Sequence, residues 1–181
     1  MCKELFCWLA KRFGPCDVAV TEKEEDVIGQ ADFMPTEMAD SYPVFTASWS
    51  DIKKELTALG LKPMEHDEDV PDDFFYYTDE ESWAKILPSL TYSPKYFPQV
   101  QRKDCDDYSK KASADSSFYF GFNCIQDWGY TPPGYHAFNL VKFGLGQKQW
   151  KIFEPNEGYE CSGQLLPLNN TFGWVSRKWK S

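Results

Sequence analysis

Histidine, zinc-binding cysteine pairs and long apolar runs are scarce or missing in this sequence. Only two histidines occur among the 181 residues, His66 and His136. No Cys-x-x-Cys pair is present, which argues against a structural zinc site. No apolar run approaches the about 20 residues that a membrane-spanning helix needs, so the sequence predicts no membrane span. Basic residues are outnumbered, with 19 Lys and Arg against 28 Asp and Glu. The resulting net charge of −9 disfavours nucleic acid as a partner.

The first residues also lack the features of a secretion signal. The longest early apolar stretch, residues 5–10, follows Glu4 and precedes Lys11 and Arg12, with no small-residue cleavage site. We therefore expect a cytoplasmic or virion-associated protein. In that setting the six cysteines are expected to be free thiols.

Composition and charge predict one folded domain with an N-terminal extension. Hydrophobic residues make up 42% and aromatic residues 17% of the chain, which is typical of a protein with a large core. Residues 17–40 contain eight acidic residues and one lysine. We expect residues 1–45 to form a short helix and an acidic arm, and residues 46–181 to form a single domain. The arm is expected to lie across that domain or against a partner chain.

Hydrophobic periodicity predicts an α+β fold with an antiparallel sheet, because helical patterns come first and strand patterns follow. A Thr78–Glu81 capping box is predicted to begin the second helix. Gly129 to Gly134 is interpreted as a loop. The predicted helices cover residues 49–59, 78–87 and 104–114. The predicted strands cover residues 74–77, 118–128, 136–143, 149–154 and 172–178.

Three residues have the order and setting of a nucleophile with its base and orienting group. Cys105 follows Asp104, a good N-cap, and so begins a predicted helix. His136 opens an apolar strand pattern, and Glu154 closes the next one. A helix N-terminus and a neighbouring imidazole activate a thiol, and a carboxylate can hold the imidazole in place. We predict that these three side chains meet in space as a catalytic triad.

Other residues are candidates for supporting roles. Gln99 lies six residues before Cys105 and is a candidate donor to an oxyanion, with Gln101 as its rival. Three aromatic residues before or beside His136 are predicted to line a substrate groove. They are Trp128, Tyr130 and Tyr135.

At these residues the chain resembles the papain-like and transglutaminase-like cysteine hydrolases. The similar segments are 105–109, 136–141 and 150–155, and the resemblance covers roughly residues 95–160. The third member of the predicted triad is a glutamate followed by proline, and this feature is most similar to the papain-like peptidase domain of the Marasmius agglutinin group. The spacing between Gln99 and Cys105 also resembles the spacing in papain-like enzymes. The resemblance implies a papain-like core and calcium dependence, with Asp106 and Asp107 as candidate ligands.

These observations predict a cysteine hydrolase that acts on a peptide or amide substrate and requires no cofactor beyond the implied calcium. Two other functions stay open. The first alternative is a non-catalytic binding or structural module on the same fold, such as a virus-particle component, because a fold does not determine a function. The second is acyl transfer to an amine, as in transglutaminases.

Overall fold

The computed structural model describes residues 41–63, 73–94, 104–132, 134–144, 149–168 and 175–180. All of them belong to one compact unit, Met34–Ser181. The predicted N-terminal helix, most of the acidic arm, Gln99 and Gln101 lie outside the described residues.

The described part of the chain contains both helices and strands. The α-helices are α1 (Trp49–Ala58), α2 (Glu80–Ile86) and α3 (Cys105–Asp115), with a 3₁₀ turn (Leu87–Leu90) after α2 and a π-helical turn (Ser116–Phe120) after α3. The strands are β1 (Phe45–Ser48), β2 (Lys62–Pro63), β3 (Phe74–Tyr77), β4 (Ile125–Thr131), β5 (Gly134–Lys142), β6 (Trp150–Phe153), β7 (Leu165–Pro167) and β8 (Val175–Lys180).

The main sheet has six strands in the order β2-β8-β4-β5-β6-β7, and β1 pairs with β3 in a separate two-stranded sheet. Every pairing is antiparallel except that of β2 with β8. The predicted α+β class with an antiparallel sheet is therefore confirmed. Among the described residues, no helix is both long and apolar enough to cross a membrane.

Local sequence explains where α1 begins and ends. The Ser48 side chain caps the helix by accepting a hydrogen bond of 3.1 Å from the Asp51 N–H. Ile52 and Leu56 lie one turn apart and are fully buried. Gly60 has a positive φ of 79°, which suits a residue that follows a helix end. The prediction for this helix is confirmed to within one residue.

Alternating side chains of the sheet divide the core into two parts. Phe138 and Leu140 of β5 pack in the cluster that contains the buried face of α1. Val141, the neighbour of Leu140, packs with Phe153 in the cluster that contains the buried residues of α2 and α3. The sheet is thus apolar on both faces, and its central strand β5 supports residues on either side.

Three local predictions are wrong. The cap of α2 is Asp79, whose side chain accepts a 2.7 Å hydrogen bond from the Ser82 N–H, because Thr78 is buried and donates to the Pro43 carbonyl instead. The first three residues of the predicted 118–128 strand belong to the π-helical turn, which is followed by Gly121, and β4 begins only at Ile125. The residues interpreted as a loop before Gly134 mostly continue β4, so the connection to β5 is short.

Candidate functional site

The first turn of α3 positions Cys105. The Asp104 N–H donates a 3.2 Å hydrogen bond to the Asp107 carboxylate, which helps to fix the helix start. Cys105 is the first residue of the helix and is partly exposed. The sequence prediction of a cysteine in a helical first turn is confirmed.

Adjacent strands bring His136 and Glu154 together. His136 is the third residue of β5, and Glu154 directly follows β6, the antiparallel neighbour of β5. The His136 Nε2 atom lies 2.8 Å from Glu154 Oε2, and the two side chains are 6% and 1% exposed. The other carboxylate oxygen of Glu154 accepts a 2.7 Å hydrogen bond from the Asn156 N–H. Glu154 is therefore held at both oxygens.

The His136 imidazole has two further neighbours. The Cys105 side chain lies close enough to raise the pKa of the imidazole, so the structure brings together the three residues that the sequence singled out. The Tyr159 ring packs on the imidazole with 4.7 Å between ring centroids, and its hydroxyl lies 3.5 Å from Nδ1. The sequence analysis missed Tyr159, since the turn that contains it has neither helical nor strand periodicity.

The electrostatics of the cluster favour a protonated imidazole. Burial lowers the pKa of His136, but hydrogen bonds and charge interactions with Cys105 and Glu154 outweigh it and raise that pKa to about 9. Burial raises the pKa of Glu154, and the contact with His136 opposes the increase. Burial also raises the pKa of Tyr159 to about 12, so this phenol stays neutral near pH 7. A positive imidazole beside a thiol can promote attack of the sulfur on an electrophile.

The first turn of α3 also carries three carboxylates. Ligand atoms of Asp104, Asp106 and Asp107 all lie within 4.8 Å of one another. Lys110 forms an ion pair with Asp106. Calcium takes roughly six to eight oxygen ligands, so these three residues fit only part of a calcium shell. The calcium dependence that the resemblance implied stays a prediction.

Two of the predicted groove residues line a separate cleft. Tyr130 and Tyr135 face each other across the β4–β5 pair, with ring centroids 5.4 Å apart. They are 55% and 54% exposed. They line a cleft of about 670 Å³ together with Gly60, Lys62 and Lys178. Neither Trp128 nor any of the clustered Cys, His and Glu residues is part of this lining.

The sequence analysis did not find the two lysines of the cleft. Lys62 and Lys178 are neighbours in the parallel pairing of β2 with β8. Strand β2 has only two residues, too few for a periodic signal, and its partner is far away in the sequence. Only the folded sheet shows that the two cations belong to the tyrosine cleft.

Comparison with solved structures finds similar folds among lectin structures. One is titled the PSL1a–E64 complex (TM-score 0.50, 16% identity), and it is matched over 75% of this chain and 51% of its own. Another is Polyporus squamosus lectin bound to the human-type influenza-binding epitope Neu5Acα2-6Galβ1-4GlcNAc (TM-score 0.50, 15% identity), matched over 75% of this chain and 49% of its own. The chain thus spans about half the length of each. No protein-family model and no curated protein matches the chain.

These comparisons contradict the interpretation as a papain-like or transglutaminase-like cysteine hydrolase. The similar structures are lectin structures, and no cysteine-hydrolase family model matches. At this level of identity the likeness shows the fold alone. The inference was wrong because it treated a Cys–His–Glu arrangement as a signature of hydrolysis. Buried polar groups need partners in any protein, so strands that bury a histidine and a glutamate tend to pair them whatever the function.

Proposed function

We propose that this chain is a non-catalytic binding module that recognises carbohydrate through the cleft beside the β4–β5 hairpin. The observation that carries this proposal is the pair of exposed, mutually packed rings of Tyr130 and Tyr135 in that cleft. The likeness to a lectin bound to a trisaccharide supports the ligand class. This function corresponds to the non-catalytic alternative, and carbohydrate replaces the peptide or amide substrate that was expected of a hydrolase.

The chemistry of tyrosine suits a sugar ligand. One face of a pyranose ring presents C–H groups, which pack on an aromatic ring, while its hydroxyl groups need hydrogen-bonding partners. Tyrosine supplies an apolar ring and a polar hydroxyl in one side chain. Tyr130 and Tyr135 are held by paired strands, so binding costs little conformational entropy.

The size of the cleft is also suitable. Its volume of about 670 Å³ lies within the roughly 300–1,000 Å³ that is usual for small-molecule sites. It is open to solvent, since Gly60, Lys62 and Lys178 on its other side are exposed. An open, partly aromatic cleft favours a saccharide that is bound along one face.

We also propose that Cys105, His136 and Glu154 act together as a thiol site. A partly exposed sulfur beside a buried, paired imidazole supports reaction with electrophiles, and this role does not require turnover of a substrate. The oxyanion role of Gln99, the groove role of Trp128 and a papain-like core remain predictions. The α+β architecture is compatible with such a core.

The carbohydrate proposal is tested by titrating glycans into the purified chain and measuring heat or fluorescence changes. Tyr130→Ala and Tyr135→Ala are expected to weaken binding at least tenfold, whereas Tyr→Phe at either position should retain part of the affinity because the ring remains. Tyr76→Ala is a matched control, because Tyr76 is 41% exposed but belongs to the two-stranded sheet. Absence of binding to a broad glycan panel at millimolar concentration would overturn the proposal.

A further inference from the structure

The charge of the tyrosine cleft differs from that of the chain as a whole. The chain has a net charge of −9, yet among the cleft residues that the structure describes two are lysines and none is acidic. A locally positive site can attract an anion and hold it by direct ion pairing, even where the protein as a whole is negative. The cleft therefore has a charge preference that the global composition does not predict.

The two lysines stand side by side. Lys62 and Lys178 are directly paired residues of β2 and β8, and paired residues project from the same face of a sheet. Within the described ranges, neither ammonium forms an ion pair with a carboxylate. Like charges at neighbouring positions of a sheet are unfavourable. An anionic group placed between the two ammonium groups would remove this repulsion and form charge-assisted hydrogen bonds with both.

The aromatic and cationic parts belong to the same cleft. A ligand that fills it must offer an apolar face to Tyr130 and Tyr135 and an anion to Lys62 and Lys178. A saccharide with one carboxylate or sulfate group has both features. A neutral saccharide would satisfy only the tyrosines, and an inorganic anion would satisfy only the lysines.

We propose that the ligand of this cleft is an anionic saccharide, whose ring packs on Tyr130 and Tyr135 and whose acidic group lies between Lys62 and Lys178. This inference rests on the proposed carbohydrate-binding function and adds the class of saccharide. Its recognition is electrostatic in part, so it should weaken as salt increases.

A matched set of glycans tests the inference. Galβ1-4GlcNAc is the neutral probe, Neu5Acα2-6Galβ1-4GlcNAc is the carboxylated probe, and 6-sulfated Galβ1-4GlcNAc is the sulfated probe. We expect at least one anionic probe to bind about tenfold more tightly than the neutral probe at low salt, as one charge-assisted hydrogen bond would give. The preferred probe distinguishes carboxylate from sulfate. The preference should shrink in 0.5 M NaCl.

Lysine variants separate this inference from the proposed function. Lys62→Gln and Lys178→Gln should abolish the preference, so that in each variant the anionic and neutral probes bind with about equal affinity. Lys54→Gln and Lys85→Gln are controls, since these exposed lysines lie in helices and form ion pairs there. If neutral and anionic probes bound equally well and Tyr130→Ala abolished the binding of both, the anionic preference would be overturned. The proposed carbohydrate-binding function would then still stand. Failure of all probes to bind would overturn both.

Discussion

The His136 imidazole and the Glu154 carboxylate form a buried pair, with Nε2 2.8 Å from Oε2. This pair makes the stability of the fold depend on pH in a defined direction. The folded-state pKa of His136 is raised from 6.5 to about 9. A raised pKa means that the folded state binds the proton more tightly than the unfolded state does. The stabilisation is therefore complete below about pH 6.5 and is lost as pH rises through about 9.

We predict that the free energy of unfolding falls between pH 7 and pH 9.5 because His136 loses its proton. Urea denaturation across this range measures it, and NMR titration of the imidazole signals gives the pKa directly. His136→Gln should flatten this part of the profile. An unchanged profile in His136→Gln would assign the pH dependence to other groups.

Glu154→Gln should lower the pKa of His136 towards its ordinary value. The amide keeps the size of the side chain but removes the charge that attracts the imidazole proton. We expect the free energy of unfolding at pH 7 to fall by about 2–4 kcal/mol, as when one partner of a buried charge pair is removed. Glu157→Gln is the control, because Glu157 is exposed in the turn that follows. Equal effects of the two variants would show that the buried pair has no special role.

Cys105 should be alkylated faster than the other two cysteines that the structure describes. Cys105 is partly exposed, whereas Cys124 and Cys161 are buried. Burial raises the pKa of both buried thiols, that of Cys161 to about 11. Iodoacetamide labelling followed by peptide mass spectrometry gives the three rates in one sample. We expect Cys105 to react at least tenfold faster than either buried thiol at pH 7.5, because thiolate and access are both needed.

The role of the His136 contact is tested by the same measurement. His136→Gln should slow the labelling of Cys105 and leave Cys161 unchanged, since a neutral amide cannot stabilise a developing negative charge on sulfur. Labelling of Cys105 at an unchanged rate in His136→Gln would reject a thiol site that works through the imidazole.

Local signals in the sequence were sufficient for the parts of the fold that depend on neighbouring residues. Asp104 precedes the first residue of α3 as predicted, and Ser48 and Gly60 lie at the two ends of α1, because caps act within one turn. The meeting of His136 with Glu154 was also predictable. Two consecutive strands that pair antiparallel bring the start of one beside the end of the next.

Features that depend on distant residues were not predictable from these signals. The cleft between Tyr130 and Lys178 exists because β8 inserts beside β4 and also pairs with the two-residue strand β2. No local pattern specifies such a pairing. The same limit applies to function, since the spacing of Cys105, His136 and Glu154 describes an arrangement but not what the arrangement does.

The cap of α2 gives a prediction about Asp79. Asp79→Ala should cost about 1 kcal/mol of unfolding free energy, because the Ser82 N–H loses its side-chain partner. The hydrogen bonds from Ser82 lower the pKa of Asp79, so this contribution is present above about pH 4 and lost as pH falls further. Urea denaturation of the variant and the wild type at pH 7 and pH 3 measures both effects. A cost for Asp79→Ala that is equal at the two pH values would contradict the cap assignment.

The partly buried ion pair between Lys142 and Glu55 gives the last prediction. Lys142 is 1% exposed, its Nζ atom lies 2.5 Å from Glu55 Oε2, and the Trp150 indole N–H donates to the same oxygen at 3.0 Å. Lys142→Met leaves the carboxylate without its cation and should cost about 3 kcal/mol. Adding Glu55→Gln should restore about 1 kcal/mol, because the remaining unpaired and partly buried charge is removed.

Urea denaturation of both single variants and the double variant gives the coupling free energy of the Lys142–Glu55 pair. The exposed Lys54–Asp51 pair is the reference, and Lys54→Met should change stability much less than Lys142→Met does. The comparison separates burial from charge, since both pairs join an ammonium to a carboxylate. If Lys142→Met cost no more than Lys54→Met, the buried pair would not anchor α1 to the sheet, and packing of Ile52 and Leu56 would have to hold this helix alone.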